Sequence, residues 1–190
     1  MNYVLPIDAD DMHRFMETLL KASGTKYALF AFLGMETGLR TTDLLRLRYG
    51  AFSARKTELK IKEQKTGKRR TIPITDEMRA TTNRLKSLTF STQRDYIFTG
   101  LDGVAPMHRS TVYRHISRAG KLCGLQGVSP HSLRKSYAVQ LFGECGDIET
   151  VRKSLNHKHS ITTIHSYLLA GVNLKMVLDA VKKPRVRRKP

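Results

Sequence analysis

The sequence predicts a mainly α-helical protein with one small β-hairpin, an α+β chain. Three observations carry that expectation. Apolar residues recur at helical spacing through most of the 190 residues. The period falls to two only in ELKIKEQ and RTIPI. Between those stretches stands KTGKR, whose Gly67 supplies a tight turn.

The elements follow in order. PIDADDMHRFMETLLKAS opens with acidic capping residues and then repeats Met12, Phe15, Met16, Leu19 and Leu20 on one helical face. KYALFAFLGMETG is apolar almost all round, so it reads as a buried helix that Gly38 stops. TTDLLRLRYG is a short helix capped by Thr41 or Thr42, with Leu44, Leu45 and Leu47 turned inward. In the hairpin, Leu59 and Ile61 alternate with Lys60 and Lys62. TDEMRATTNRLKSL begins at a capping Thr75, YIFTG is a brief extended piece, and MHRSTVYRHISRAGKLCG is a basic amphipathic helix ending at Gly124. SPHSLRKSYAVQLFGECG has Ser129 at the cap and Pro130 at the first helical position. DIETVRKSLN, ITTIHSYLLAG and VNLKMVLDAVKK complete the helices. With no repeat and no Gly/Ser linker, residues 1–181 read as one domain and 182–190 as a basic tail, expected to be flexible.

The formal net charge is +18, from 34 Lys and Arg against 16 Asp and Glu. An excess of that size attracts polyanions, so nucleic acid is the first partner to expect. The charge is concentrated. Residues 46–70 hold ten basic and two acidic side chains, and 182–189 hold six basic and no acidic ones. Its spread over unlike segments argues against a membrane surface, and no apolar run is long enough to span a bilayer. Cys123 and Cys145 form no C-x-x-C pair, and no signal peptide precedes the first helix. The chain therefore reads as cytoplasmic, with both cysteines as buried small hydrophobes.

Three stretches could carry chemistry. Arg40 in TGLRTTDLLRL stands where a buried helix meets the next helix's N-terminus. There its guanidinium can offer a planar fork to a phosphate, or pair with Asp43 to hold the helix corner. His131 and Arg134 in SPHSLRKSYA are three apart at a helix start, on one face beside the positive end of the dipole. That arrangement suits an anion, or is simple surface polarity. His157 and Tyr167 in LNHKHSITTIHSYL are ten apart across a turn. Phosphoryl transfer needs a nucleophile, cations over the non-bridging oxygens and a proton donor for the leaving oxygen, and these residues can fill those roles.

Taken in order, these motifs resemble the tyrosine recombinase, or phage integrase, family, whose catalytic domain the chain covers nearly end to end. Arg40 matches the family's first arginine and Asp43 its supporting acid. Lys65 in KTGKRRTIPI matches the hairpin lysine, and His131 with Arg134 the His-x-x-Arg pair. His157 in LNH matches the second histidine and Tyr167 the nucleophile. The resemblance implies that Tyr167 attacks a DNA phosphodiester, leaving a 3′-phosphotyrosyl link and a free 5′-hydroxyl. Arg40 and Arg134 would hold the developing charge, and Lys65 would protonate the leaving oxygen. His131 would assist proton transfer, and His157 would position the phosphate. Neither metal nor ATP is implied. LNH departs from the usual Leu-Gly-His, and Asn156 there must tolerate positive φ.

The family also implies assembly into dimers or tetramers on DNA, with helix 172–181 docking on a neighbour or packing on its own domain. Most members carry a helical clamp domain before the catalytic one. A minimal recombinase and a catalytic fragment are both compatible with a chain starting at the first helix. The candidate DNA contacts are Lys68, Arg69 and Arg70 at the hairpin, and Arg109, Thr111, Tyr113 and Arg114 in HRSTVYRHISR. A type IB topoisomerase shares the chemistry but rejoins the same strand. An inactive DNA-binding regulator would have no need of Tyr167, both arginines and Lys65. A zinc site of His157, His159 and His165 would lack a fourth ligand.

Overall fold

The computed structural model describes residues 4–159. The segments ITTIHSYLLAG and VNLKMVLDAVKK and the basic tail, including Tyr167 and His165, lie outside the described residues. Seven α-helices and one two-stranded antiparallel sheet make up the described fold, as the changes of period predict.

Helix α1 (Ala9–Ser23) buries Phe15 and Leu19 against α2 (Thr25–Thr37) and α5 (Arg109–Leu122). Met12 and Met16 pack beside them. Leu20, expected on the same face, is 48% exposed. At about 100° per residue it falls on the flank of the stripe centred on Phe15 and Leu19. Helix α2 is the core helix: Leu29, Phe30, Ala31 and Leu33 are all buried, and Phe30 meets Phe98 edge-on at 5.1 Å. It ends at Gly38, whose φ of 58° is the left-handed cap that glycine takes without strain. A Cβ on Gly38 would also collide with the Tyr137 ring. The cap therefore sets both the helix end and the approach of α6 (Pro130–Cys145).

Helix α3 (Thr41–Leu44) is a single turn, with Arg40 at its N-cap. Leu44, Leu45 and Leu47 are buried as their spacing predicts. Strands β1 (Glu58–Lys62) and β2 (Arg69–Pro73) pair with Leu59 opposite Ile72 and Ile61 opposite Arg70. That register puts Leu59, Ile61, Arg70 and Ile72 on one face and the lysines on the other. Thr75 caps α4 (Asp76–Leu88), its hydroxyl accepting from the Met78 N–H at 3.1 Å. The YIFTG stretch lies against the α3 exit and the loop before α5, with Ile97 N–H donating to the Leu47 carbonyl and Met107 N–H to that of Phe98.

At the α6 start, the Ser129 N–H donates to the Ser132 hydroxyl, a capping arrangement with Pro130 as the first helical residue. Ala138 and Phe142 of α6 join Ile148, Val151 and Leu155 of and after α7 (Ile148–Ser154) in a second apolar cluster. Cys123 is buried, as expected. Cys145 is exposed and is not a core residue: it is the last residue of α6, at the helix end that Gly146 caps.

Candidate active site

Arg40, Lys65, His131, Arg134 and His157 line one cleft of about 810 Å³. They come from the α2–α3 junction, the hairpin turn, the first turns of α6 and the segment after α7. Sequence-distant residues thus share one cleft. Arg109, Ser110 and Tyr113 from the start of α5 line it as well. The N-termini of α5 and α6 open on this cleft, so backbone N–H dipoles add to the cationic side chains.

Arg134 is 2% exposed. Its guanidinium donates to the Gly38 carbonyl at the end of α2 and to the Leu155 carbonyl at 2.7 Å. Carbonyls at helix ends lack intrahelical donors and carry partial negative charge, so a buried arginine is well placed there. His157 is held from the other side, with its N–H donating to the Arg152 carbonyl and its own carbonyl accepting from Arg152 Nη1 at 2.8 Å. Asn156, just before it, has φ of 53°, the positive angle expected where glycine is usual.

Arg40 does not use Asp43 as its ion-pair partner. Its Nη1 lies 2.6 Å from Glu63 Oε2, whose side chain is fully buried. Asp43 instead accepts the Gln64 N–H through Oδ1 at 2.8 Å, tying the hairpin to α3. Burial raises the Asp43 pKa, opposed by the Gln64 N–H and helped by the nearby Glu63 charge. Burial would likewise raise that of Glu63. The Thr66 hydroxyl and the Arg40 guanidinium outweigh it and hold that carboxyl below its ordinary value. Glu63 is the site residue that the sequence reading missed. Its one local signal is position: it stands at the strand end, out of step with the exposed Lys60 and Lys62.

Both histidines are held neutral. Desolvation within the cleft, reinforced by Lys135, Arg134 and Arg40, pulls His131 down to about 4 even though the residue keeps an exposed edge. Burial, then Arg134 and Arg40, bring His157 to about 4 as well, with Glu63 opposing. A neutral imidazole can accept a proton, which an imidazolium cannot.

The DNA-contact candidates divide. Lys68 and Arg69 are exposed at the hairpin turn, and Arg109 and Tyr113 face the cleft. Thr111 is half-buried and Arg114 is exposed, but neither lines the cleft; Arg114 stands within electrostatic reach of Tyr27 and His115. Arg70 is not available to DNA. It is 7% exposed, donating to the Thr37 carbonyl at 2.8 Å and the Gly38 carbonyl at 3.5 Å. Strand parity turns it inward with Ile72, and burial lowers its pKa to about 10. Beyond Asp43, Arg46, Arg48, Lys56, Lys60, Lys62 and Arg94 surround a second groove of about 650 Å³, continuing the basic surface. No cluster of three or more His, Cys, Asp or Glu fit to hold a metal occurs among the described residues. No helix among them is long and apolar enough to cross a membrane.

A cationic cleft with two neutral imidazoles and a lysine on the hairpin turn suits an anion such as a phosphate and offers groups that can accept or give a proton beside it. The chain matches the Phage integrase family over residues 6–170 and belongs to that family. It is 28% identical over 169 residues to the probable integrase/recombinase YoeC of Bacillus subtilis, covering 86% of this chain and 89% of that protein. Two other curated tyrosine recombinases are matched over half or less of their own length. Among solved structures, the XerA recombinase superposes with a TM-score of 0.73 at 23% identity, over 97% of this chain and 65% of that one. A lambda integrase tetramer bound to a Holliday junction gives 0.71 at 20% identity, over 90% and 50%. The fold is that of the tyrosine recombinase catalytic domain.

Proposed function

We propose that this chain cleaves and rejoins double-stranded DNA as a site-specific recombinase, with Tyr167 as the nucleophile. The observation that carries the proposal is the convergence of Arg40, Lys65, His131, Arg134 and His157 on one cleft. The Tyr167 oxygen attacks the scissile phosphorus, and the bond to the 5′-oxygen breaks. Neutral His131 accepts the phenolic proton, and Lys65 supplies the proton that the leaving oxygen takes up. Arg40 and Arg134 carry the charge on the non-bridging oxygens, and His157 hydrogen-bonds the phosphate. The phosphotyrosyl bond retains the energy of the one broken, so a second strand's 5′-hydroxyl reverses the step without a nucleotide cofactor or metal.

Lys68, Arg69, Arg109 and Tyr113 are the surface through which the DNA is held, and the second basic groove extends that track. The lambda integrase tetramer on a Holliday junction supports assembly as a dimer or tetramer on DNA, with segment 172–181 as the proposed contact between subunits. The catalytic domain would run through residue 181, followed by the basic tail. A cytoplasmic mobile-element setting fits the family.

The test is a nicked suicide substrate carrying the element's own ends, incubated with the protein in the absence of metal and ATP. A covalent adduct on a denaturing gel, absent in Tyr167→Phe, is the expected result. Tight binding without adduct on every cognate site would overturn the enzymatic reading.

A further inference from the structure

We propose that Glu63 is a positioning residue that joins Arg40 and the turn bearing Lys65 into one preset unit. The inference rests on the reading of the cleft as a strand-cleavage centre and assigns a role that the sequence motifs give to Asp43. Glu63 Oε2 meets Arg40 Nη1 at 2.6 Å and accepts from the Thr66 hydroxyl at 2.7 Å. Its backbone closes the same turn: Glu63 N–H donates to the Lys68 carbonyl at 2.9 Å, and Gly67 N–H donates to the Glu63 carbonyl at 2.8 Å. Lys65 stands inside this closed turn, which Asp43 pins a second time through the Gln64 N–H.

The electrostatics require such a group. Arg40, Arg70 and Arg134 all act on Glu63, and Arg70 Nη1 comes within 3.9 Å of its Oε1. Three guanidinium groups converging without a counter-charge would repel one another and swing apart in DNA-free protein. Two buried carboxylates face them, Asp43 and Glu63, and of the two it is Glu63 that ion-pairs with Arg40 and Arg70; the site stays net positive for the phosphate, so little reorganisation remains when DNA arrives. Because one carboxylate touches both Arg40 and the turn, a shift in either cation's seat reaches the other. Glu63 itself makes no contact with the reacting atoms in this scheme.

The decisive experiment uses the full chain and a suicide substrate at saturating DNA. Glu63→Gln keeps the shape and removes the charge. Its single-turnover cleavage is expected to fall by about 10²-fold, the scale of an ångström-sized misplacement, while DNA affinity stays within a few-fold. Glu63→Asp, which keeps the charge, is expected to recover part of the rate. A substrate with sulfur in place of the leaving 5′-oxygen needs no proton donor. The Glu63→Gln deficit should shrink on it, an effect that general loss of folding would not produce. Wild-type cleavage by Glu63→Gln, or a loss explained wholly by weaker binding, overturns the role of Glu63 alone. If Glu63→Gln does not fold, Thr66→Val decides: a several-fold slower cleavage supports the role, and an unchanged rate overturns it. If the wild-type chain binds cognate DNA without forming an adduct, it is the strand-cleavage reading that fails.

Discussion

The guanidinium of Arg134 donates a hydrogen bond to the carbonyl of Gly38, 96 positions away in the chain, and a second one to that of Leu155. One side chain thereby ties the end of α2 to the end of α7 and fixes the cleft wall between them. The residue proposed to carry phosphate charge is therefore also a tie between two parts of the fold.

A lysine at position 134 keeps the charge but cannot reach two carbonyls with a rigid planar fork. Arg134→Lys should lower unfolding stability by about 2 kcal/mol, the scale of one charged hydrogen bond. Single-turnover adduct formation should fall by about 10²-fold or more, the effect of removing one preorganised donor. Urea unfolding and the suicide-substrate gel measure the two separately, and equal stability with full activity would contradict the double role.

Neighbouring hairpin cations should behave oppositely. Arg70 is buried against the carbonyls of α2 and near Glu63, so Arg70→Ala takes the guanidinium from the Thr37 carbonyl and one cation from beside Glu63, while Gly38 keeps its bond from Arg134. The expected cost is about 3 kcal/mol or more of stability. Lys68→Ala, on the exposed turn, should leave stability nearly unchanged and reduce the slope of log affinity against log salt by about 0.9. Thermal melts and binding titrations at several salt concentrations check both.

The contrast explains what the sequence could and could not disclose. Helix positions were legible because burial follows period. Arg40, His131, Arg134 and His157 stood out at a helix junction, a capped N-terminus and a turn, where each motif alone is weak, while Lys65 and the set as a whole came from the resemblance to the family. Arg70 was misjudged because a basic run looks uniform until strand register assigns each side chain to a face. Counting back by two from Ile72 would have placed it inside. The same count, forward from Leu59 and Ile61, turns Glu63 inward but does not say what it meets. Its importance comes from Arg40 and the hairpin meeting across 23 positions of chain, a tertiary fact that composition does not encode, as 63 minus 40 is too far for any local pattern.

Asn156 offers a test of local geometry. Its φ of 53° costs most L residues about 1–2 kcal/mol, and its side-chain nitrogen is buried without a hydrogen-bond partner among the described residues. Asn156→Gly should therefore be neutral or slightly stabilising. Asn156→Val should cost about 1–2 kcal/mol and displace His157, lowering adduct formation as well. Melting temperatures of the two variants, compared with wild type, settle the sign.

The histidines set a pH dependence whose direction follows from their environment. His131 and His157 each titrate at about 4 in the folded chain, against 6.5 for an ordinary histidine. Between those values the unfolded chain binds protons that the folded chain refuses, so stability rises with pH across that window. The contribution is complete above about 6.5 and is lost progressively as the pH falls toward 4. Unfolding followed from pH 7 to pH 4 should show this loss in the DNA-free protein, and His157→Gln should flatten part of it. A phosphate in the cleft reverses the balance, because an anion beside an imidazole favours its charged form. Histidine ring resonances followed by NMR should therefore titrate near 4 in the free protein and at distinctly higher pH with DNA bound. Unshifted titration near 6.5 in the free protein would contradict the lowering of both histidines by burial and by the neighbouring guanidinium groups.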